Sequence, residues 1–292
     1  MLLSVWDVSA IAAKTITYAA TLGAAGAVWF LRYCNTLLAD APRLRIRRIV
    51  LGMSALSVAG GGAQLLISAG SMSGVASGML DGSLVNMAWQ AGAGRGNSIR
   101  AIGLLLAAVG AWSGRPAWPA SFGAAMAATS FAWTGHARLL APAVAPLILG
   151  AHLMGAAFWL GALMALLSVA RDGDVPRLAH ATARFGSLAP YVVGVLMAAA
   201  LCLLWMMLGG AAQLWSSDYG RIAMLKVGLV AVLLCLAAFN RLRLTPRLLA
   251  GDAAAAGSLN ISVRVELLLG VLILAVTAAL TTITGPPVLS AL

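Results

Sequence analysis

Charge is scarce in this chain. Of its 292 residues only 9% are charged, against about 25% in an ordinary soluble domain. A water-facing surface could not be covered, so a soluble enzyme and a disordered chain are both excluded. Acidic residues are the rarer sign: there are eight, and only Glu266 falls inside a long apolar run. Paired-carboxylate catalysis has no candidates. Cysteine is limited to Cys34, Cys202 and Cys235, an odd number within or at the ends of apolar runs, which argues against a disulfide scaffold. No CxxC, HExxH or Ser/His/Asp set is present, and the chain is not expected to be an enzyme. Gly60-Gly61-Gly62 and the glycines of 91–96 are not followed by Lys-Ser/Thr, so no phosphate cradle and no nucleotide partner are expected. They read instead as close helix packing and a flexible loop. Residues 1–9 carry Asp7 and no basic residue, so no cleavable signal peptide is expected.

What the chain has in quantity is apolar sequence: 62% of its residues are hydrophobic and the mean hydropathy is +0.96. A membrane span needs ~20 mostly apolar residues to cross ~30 Å of hydrocarbon. Six runs qualify, near 10–33, 49–69, 147–170, 185–209, 222–240 and 263–284. The stretch 99–134 is broken by Ser113-Gly114-Arg115-Pro116, which predicts two shorter spans, 99–113 and 117–134. The fold class expected is therefore an all-α polytopic bundle of about eight spans in a single integral membrane domain over 1–292. Six full spans with a re-entrant hairpin is the alternative. The loop 70–98 is long enough to hold structure of its own, with a partial helical spacing over Ser71–Gln90 that suits the membrane interface.

The net charge of +11 would mean nucleic acid in a soluble protein, but the basic residues are distributed otherwise. Arg32, Arg43, Arg45, Arg47 and Arg48 cluster after the first run, and alternation puts Arg115, Arg171, Arg177, Arg184, Arg241, Arg243, Arg247 and Arg264 on the same side. That is 13 of 19 basic residues. The positive-inside rule makes this side cytoplasmic and both termini periplasmic. The charge then sets topology and meets anionic lipid, and nucleic acid is not an expected partner.

Candidate site residues follow from depth and side. His136 and His152 fall at the outer ends of adjacent antiparallel spans, whereas His180 lies in an inner loop. Seven of the twelve methionines are on the outer side: Met72, Met79, Met87, Met154, Met206, Met207 and Met224. Imidazole and thioether together select Cu(I) over hard ions, although methionine is also an ordinary filler of apolar packing. Cys202 and Met206 share a helix face at i,i+4, and Met224 and Cys235 are about three turns apart. Cys202 and Cys235 are thus a possible inward relay. Lys226 is read as snorkelling outward, and Glu266 as pairing locally with Arg264.

The residues also carry a resemblance. The run His152-Leu-Met-Gly-Ala-Ala-Phe-Trp159-Leu-Gly161, preceded by Gly135-His136, resembles the hallmark helix of the CopD/PcoD copper-resistance D family. Asp218-Tyr-Gly-Arg221-Ile-Ala-Met-Leu-Lys226, Asn240-Arg-Leu-Arg-Leu-Thr-Pro246 and Ser262-Val-Arg264-Val-Glu266 are similar to its later landmarks, in the same order. The resemblance implies a multi-pass protein of the bacterial inner membrane, with copper as cargo and His136 and His152 as ligands. Met154, Met206, Met207 and Met224 are the possible soft partners, and a periplasmic copper-binding protein is a possible docking partner. Two other readings remain open: a b-type haem held by His136 and His152, and a non-conducting accessory subunit.

Overall fold

The computed structural model describes residues 3–113, 118–133, 141–286 and Val288, and these are helical with no strand among them. The long helices are α1 (Val5–Tyr33), α2 (Asp40–Ser73), α4 (Gly94–Trp112), α5 (Trp118–Thr129), α6 (Ala145–Ala170), α7 (Val175–Leu208), α8 (Asp218–Phe239) and α9 (Ala253–Ile283). A short α3 (Gly82–Ala88) lies within the 70–98 connection, between a 3₁₀ turn (Ala76–Leu80) and a π turn (Trp89–Ala93). α8 continues through a π turn (Asn240–Leu244) into Thr245–Leu249.

Helix starts are set by local chemistry. Ser4 and Asp7 form a reciprocal capping box on α1, Asp174 accepts from the Arg177 N–H at the start of α7, and Asp252 accepts from the Ala254 and Ala255 amides to open α9. Each satisfies donors that a helix N-terminus leaves free.

α1 and α2 run antiparallel, as paired contacts show. Thr21 Oγ1 meets Ser57 Oγ at 2.6 Å while Gln64 Nε2 donates to Thr17 Oγ1 at 2.6 Å, so α2 ascends as α1 descends. The tightest crossing is α1 on α6. A Cβ on Gly26 would lie 1.7 Å from the Ala157 carbonyl oxygen, and one on Gly161 2.2 Å from Ala27 N. Only glycine permits this backbone contact, and in lipid such close packing replaces the hydrophobic drive between helices. α4 and α5 use the same device, Gly103 and Gly123 each facing the other helix's backbone. Of the Gly60–Gly62 run, Gly60 and Gly61 face Thr17 and Asn97, whereas Gly62 faces open space.

Among the described residues, five helical segments are long and apolar enough to cross a membrane: Asp40–Ser73, Ala145–Ala170, Val175–Leu208, Asp218–Leu249 and Ala253–Ile283. The remaining three of the expected eight differ for physical reasons. α1 is 29 residues long, but its continuously buried stretch Ala20–Val28 is mostly Ala and Gly, because it packs against protein and needs no oily surface. α5 has 12 residues, about 18 Å of helix, and is prolonged by the 3₁₀ turn Ser130–Trp133. α4, at 19 residues, begins in the glycine-rich segment 94–96. Of the five, α6 is the most enclosed and α8 the least. The outward residues of α8, among them Leu225, Val227, Val232 and Phe239, are apolar and exposed, as a lipid-facing helix requires.

The bundle has two chemically distinct ends. At one, Lys14 Nζ near the start of α1 bonds Thr282 Oγ1 at 2.9 Å near the end of α9, which brings the described termini together. At the other, Arg45 pairs with Asp172 and donates to the Ser168 carbonyl at 2.9 Å, joining α2 to the end of α6. Arg43–Asp40, Arg177–Asp174 and Arg247–Asp252 also lie there. The first is the terminal end and the second the basic end.

Candidate functional site

His152, Lys226, Trp159, Asn240 and Glu266 lie on α6, α8 and α9, with α7 packed against α6. The first is His152, two turns into α6. Gly155, one turn on, has Leu196 of α7 where a side chain would be: a Cβ there would sit 3.2 Å from Leu196 Cβ and Cδ1. That close approach puts the Leu196 carbonyl oxygen 3.2 Å from His152 Nδ1. A carbonyl only accepts, so Nδ1 carries the proton and the Nε2 lone pair is left for another partner. Metal-binding histidines are oriented in this way, one nitrogen donating to a fixed acceptor and the other free to ligate. Lys226 of α8 lies within electrostatic range of His152. It is half-buried, and no carboxylate pairs with it among the described residues.

Trp159 follows His152 by seven residues, which is two turns on one side of α6 and about 10 Å along its axis. Its ring meets Phe185 edge-on with centroids 5.8 Å apart. Its indole N–H lies beside the Glu266 carboxyl without closing an aligned hydrogen bond. Glu266 is 2% exposed and accepts from Nδ2 of Asn240. This corrects the local pairing with Arg264, which is exposed on the opposite side of α9. Asn240 opens the π turn of α8, where the Thr245 hydroxyl bonds its carbonyl at 2.9 Å. Single π turns within helices recur at functional sites, where they re-aim a side chain.

The other sequence-derived candidates scatter. Met206 and Met207 are half-buried and lie ten and eleven residues beyond Leu196 on α7, about 15 Å toward the terminal end. Met224 is half-buried two residues before Lys226. Met154 is 38% exposed and faces away from His152. Cys202 and Cys235 are free and exposed. Arg221 is exposed at the start of α8, 3.5 Å from Asp218. His180 is exposed and bonds the Pro176 carbonyl at 2.7 Å. His136 lies outside the described residues. No group of three or more His, Cys, Asp or Glu side chains assembles among the described residues.

One residue escaped the sequence reading. Arg100 of α4, counted there as one more basic residue on the outer side, is 6% exposed. Its Nε donates to Ser130 Oγ at 3.2 Å and its Nη1 to Asn97 Oδ1 at 3.1 Å. The guanidinium carbon stacks 4.1 Å from the centre of Phe131, which Tyr18 meets edge-on at 4.8 Å. No carboxylate pairs with it among the described residues. It holds the 3₁₀ turn from which the chain runs on toward His136. The available signal was an arginine flanked by Ile99, Ala101 and Ile102 rather than by a loop.

Comparison with known families matches two stretches of the chain in order. Residues 5–143 match the copper resistance protein D-like N-terminal domain, and residues 179–280 match copper resistance protein D. The first contains His136; the second contains Arg221, Lys226, Asn240, Arg264 and Glu266. His152 and Trp159 fall between the two. No curated protein and no solved structure matches the chain. The two matches, consecutive and parts of one family, show that the chain belongs to the copper resistance protein D family of membrane proteins.

Proposed function

We propose that this protein carries copper across the bacterial inner membrane, taking it up at the periplasmic face and passing it between α6, α7, α8 and α9. The observation that carries the reading is His152, whose Nδ1 is committed to the Leu196 carbonyl and whose Nε2 is left as a ligand within the bundle. In this orientation the terminal end is periplasmic and the basic end cytoplasmic, as the arginine distribution requires. α1, α4 and α5 complete eight spans. Met206 and Met207 stand highest on the route, then Met224, then His152.

The electrostatics favour Cu(I) as the cargo. With Lys226 nearby and no carboxylate at His152 among the described residues, an arriving cation is held by ligand bonds rather than by attraction. That suits a soft monovalent ion on imidazole and thioether, and not a hard ion that needs oxygen ligands. The exposed Cys202 and Cys235 would meet lipid rather than cargo, so they are the least supported part of the route. A periplasmic copper-binding protein is the natural donor at the terminal end.

The test is copper accumulation in cells expressing the wild type, His136→Ala or His152→Ala, together with metal content and visible spectrum of the purified proteins. Copper bound by the wild type and lost in His152→Ala, with no Soret band, supports the reading. A Soret band that His152→Ala removes would assign the pair to haem instead. Unchanged accumulation and binding in both variants would remove these histidines from the route.

A further inference from the structure

Glu266 is a carboxyl inside the bundle with no opposite charge to answer it. Lysine, arginine and histidine are all absent as partners among the described residues, and so is a second carboxyl. Arg264 on its own helix, and Arg241 and Arg243 on the π turn, are exposed. Among the cations on helices packed against α9, Lys14 bonds Thr281 and Thr282, Lys226 lies toward His152, Arg184 stacks on Tyr33, and Arg177, Arg221 and Arg247 pair with Asp174, Asp218 and Asp252. What surrounds Glu266 is neutral and incompletely bonded. Trp159 Nε1, Asn240 Oδ1 and Ser262 Oγ, the last one turn earlier on α9, are each buried without a hydrogen-bond partner. Buried polar atoms are rarely left so, and here three accompany one carboxyl.

Counting donors and acceptors identifies what is missing. An ionised carboxylate can only accept. It would take the Asn240 and Trp159 N–H groups but leave the Asn240 amide oxygen, held against it, with no donor. A neutral acid supplies that donor: its O–H to Asn240 Oδ1, beside the Nδ2–H bond to Oε1, completes a paired acid–amide contact. Exchanging the amide nitrogen and oxygen changes nothing, because one carboxyl oxygen must then donate to reach the amide oxygen. The ligand set points the same way. Carboxyl, amide and hydroxyl oxygens are hard donors, poorly suited to Cu(I), whereas His152, two turns away on α6, is a softer one.

We propose that Glu266 is a proton-binding site in the membrane core, seated on Asn240 and coupled to passage of the cation handled at His152. The acid releases its proton to water as the carboxylate forms, and regains one when the cation has left. The coupling rests on the copper reading above; the proton site does not.

Infrared spectroscopy of the protein in membranes, without copper, tests the site. The wild type is expected to show a protonated-carboxyl stretch at neutral pH that Glu266→Gln removes and Asn240→Ala shifts. Absence of the band, or its persistence unchanged in Glu266→Gln, overturns the proposal. Loss of the band on adding sodium salt at fixed pH would identify a hard metal cation as the occupant and also overturn it. In proteoliposomes, copper entry into wild-type vesicles is expected to change internal pH, and entry through Glu266→Gln to leave it unchanged. Equal pH changes in the two proteins would overturn the coupling while leaving the infrared result standing.

Discussion

Replacing His152 by alanine separates a ligand from a packing residue, because the two roles differ in magnitude. The structural loss is small. The Nδ1 contact to Leu196 is one interhelical hydrogen bond, worth about 0.6 kcal/mol on average between membrane helices. The Leu196 carbonyl lies within the regular part of α7, so it keeps its own helical partner. Truncating a half-buried ring adds a packing loss of about 1 kcal/mol. If Nε2 ligates copper, the loss of affinity is much larger. Disturbing only the group behind a metal-bound histidine costs about 10–100-fold, and removing the ligand itself costs at least the upper figure, about 2.7 kcal/mol. His152→Ala is therefore expected to unfold at nearly the wild-type temperature while binding Cu(I) at least about 100-fold more weakly, measured by competition with a chelator. His152→Met, which restores a soft ligand, is expected to recover part of the Cu(I) affinity. Wild-type affinity in His152→Ala, or equal losses in Ala and Met, would refute the assignment.

Gly155→Ala places a methyl 3.2 Å from Leu196 and presses α7 away, so His152 loses its fixed acceptor; Cu(I) affinity should fall about tenfold with the histidine intact. Gly161→Leu cannot be accommodated against Ala27 and Gly26, and thermal unfolding in detergent should report a loss of about 3 kcal/mol or more. Gly62→Ala, which meets nothing within 4 Å, should be neutral or stabilising by up to about 1 kcal/mol, since alanine is the better helix former. At the basic end, a hydrogen bond from Arg247 holds the Asp252 carboxyl below its ordinary 3.8. A lowered value means that its contribution is complete above 3.8 and disappears as pH falls through the lowered value. The protection of the Ala254 and Ala255 amides in the wild type relative to Asp252→Asn should follow that course in hydrogen exchange.

Much of the architecture was legible because it rests on composition and local chemistry. The scarcity of charge, the apolar runs and the arginine clusters set a helical membrane bundle and its two ends, and Gly60 and Gly61 do pack helix on helix. The span count was harder to read. The run 10–33 reads as a span, yet α1 is a central helix built largely of Ala, Gly and Thr, and α5 is short, so neither presents the oily surface of a lipid-facing helix. At the site, His152 was visible as an imidazole within an apolar run, but its tautomer depends on a carbonyl 44 residues away. The contact of Glu266 with Asn240 spans 26 residues and is made where a π turn opens, which no periodicity announces. Arg264 was the nearer partner in sequence, yet two residues along a helix point to nearly opposite sides. Arg100 was overlooked for a related reason. Positive residues were counted by side, and a count does not separate a buried arginine stacked on Phe131 from one in a loop.

The central claim, that this chain by itself moves copper through the bundle at His152, is tested most directly by Cu(I) entry into proteoliposomes containing no other protein. The wild type is expected to admit copper above the rate of protein-free vesicles, and His152→Ala, equally well folded, to fall to that background. Entry at the background rate with the wild type, or at the wild-type rate with His152→Ala, would contradict it.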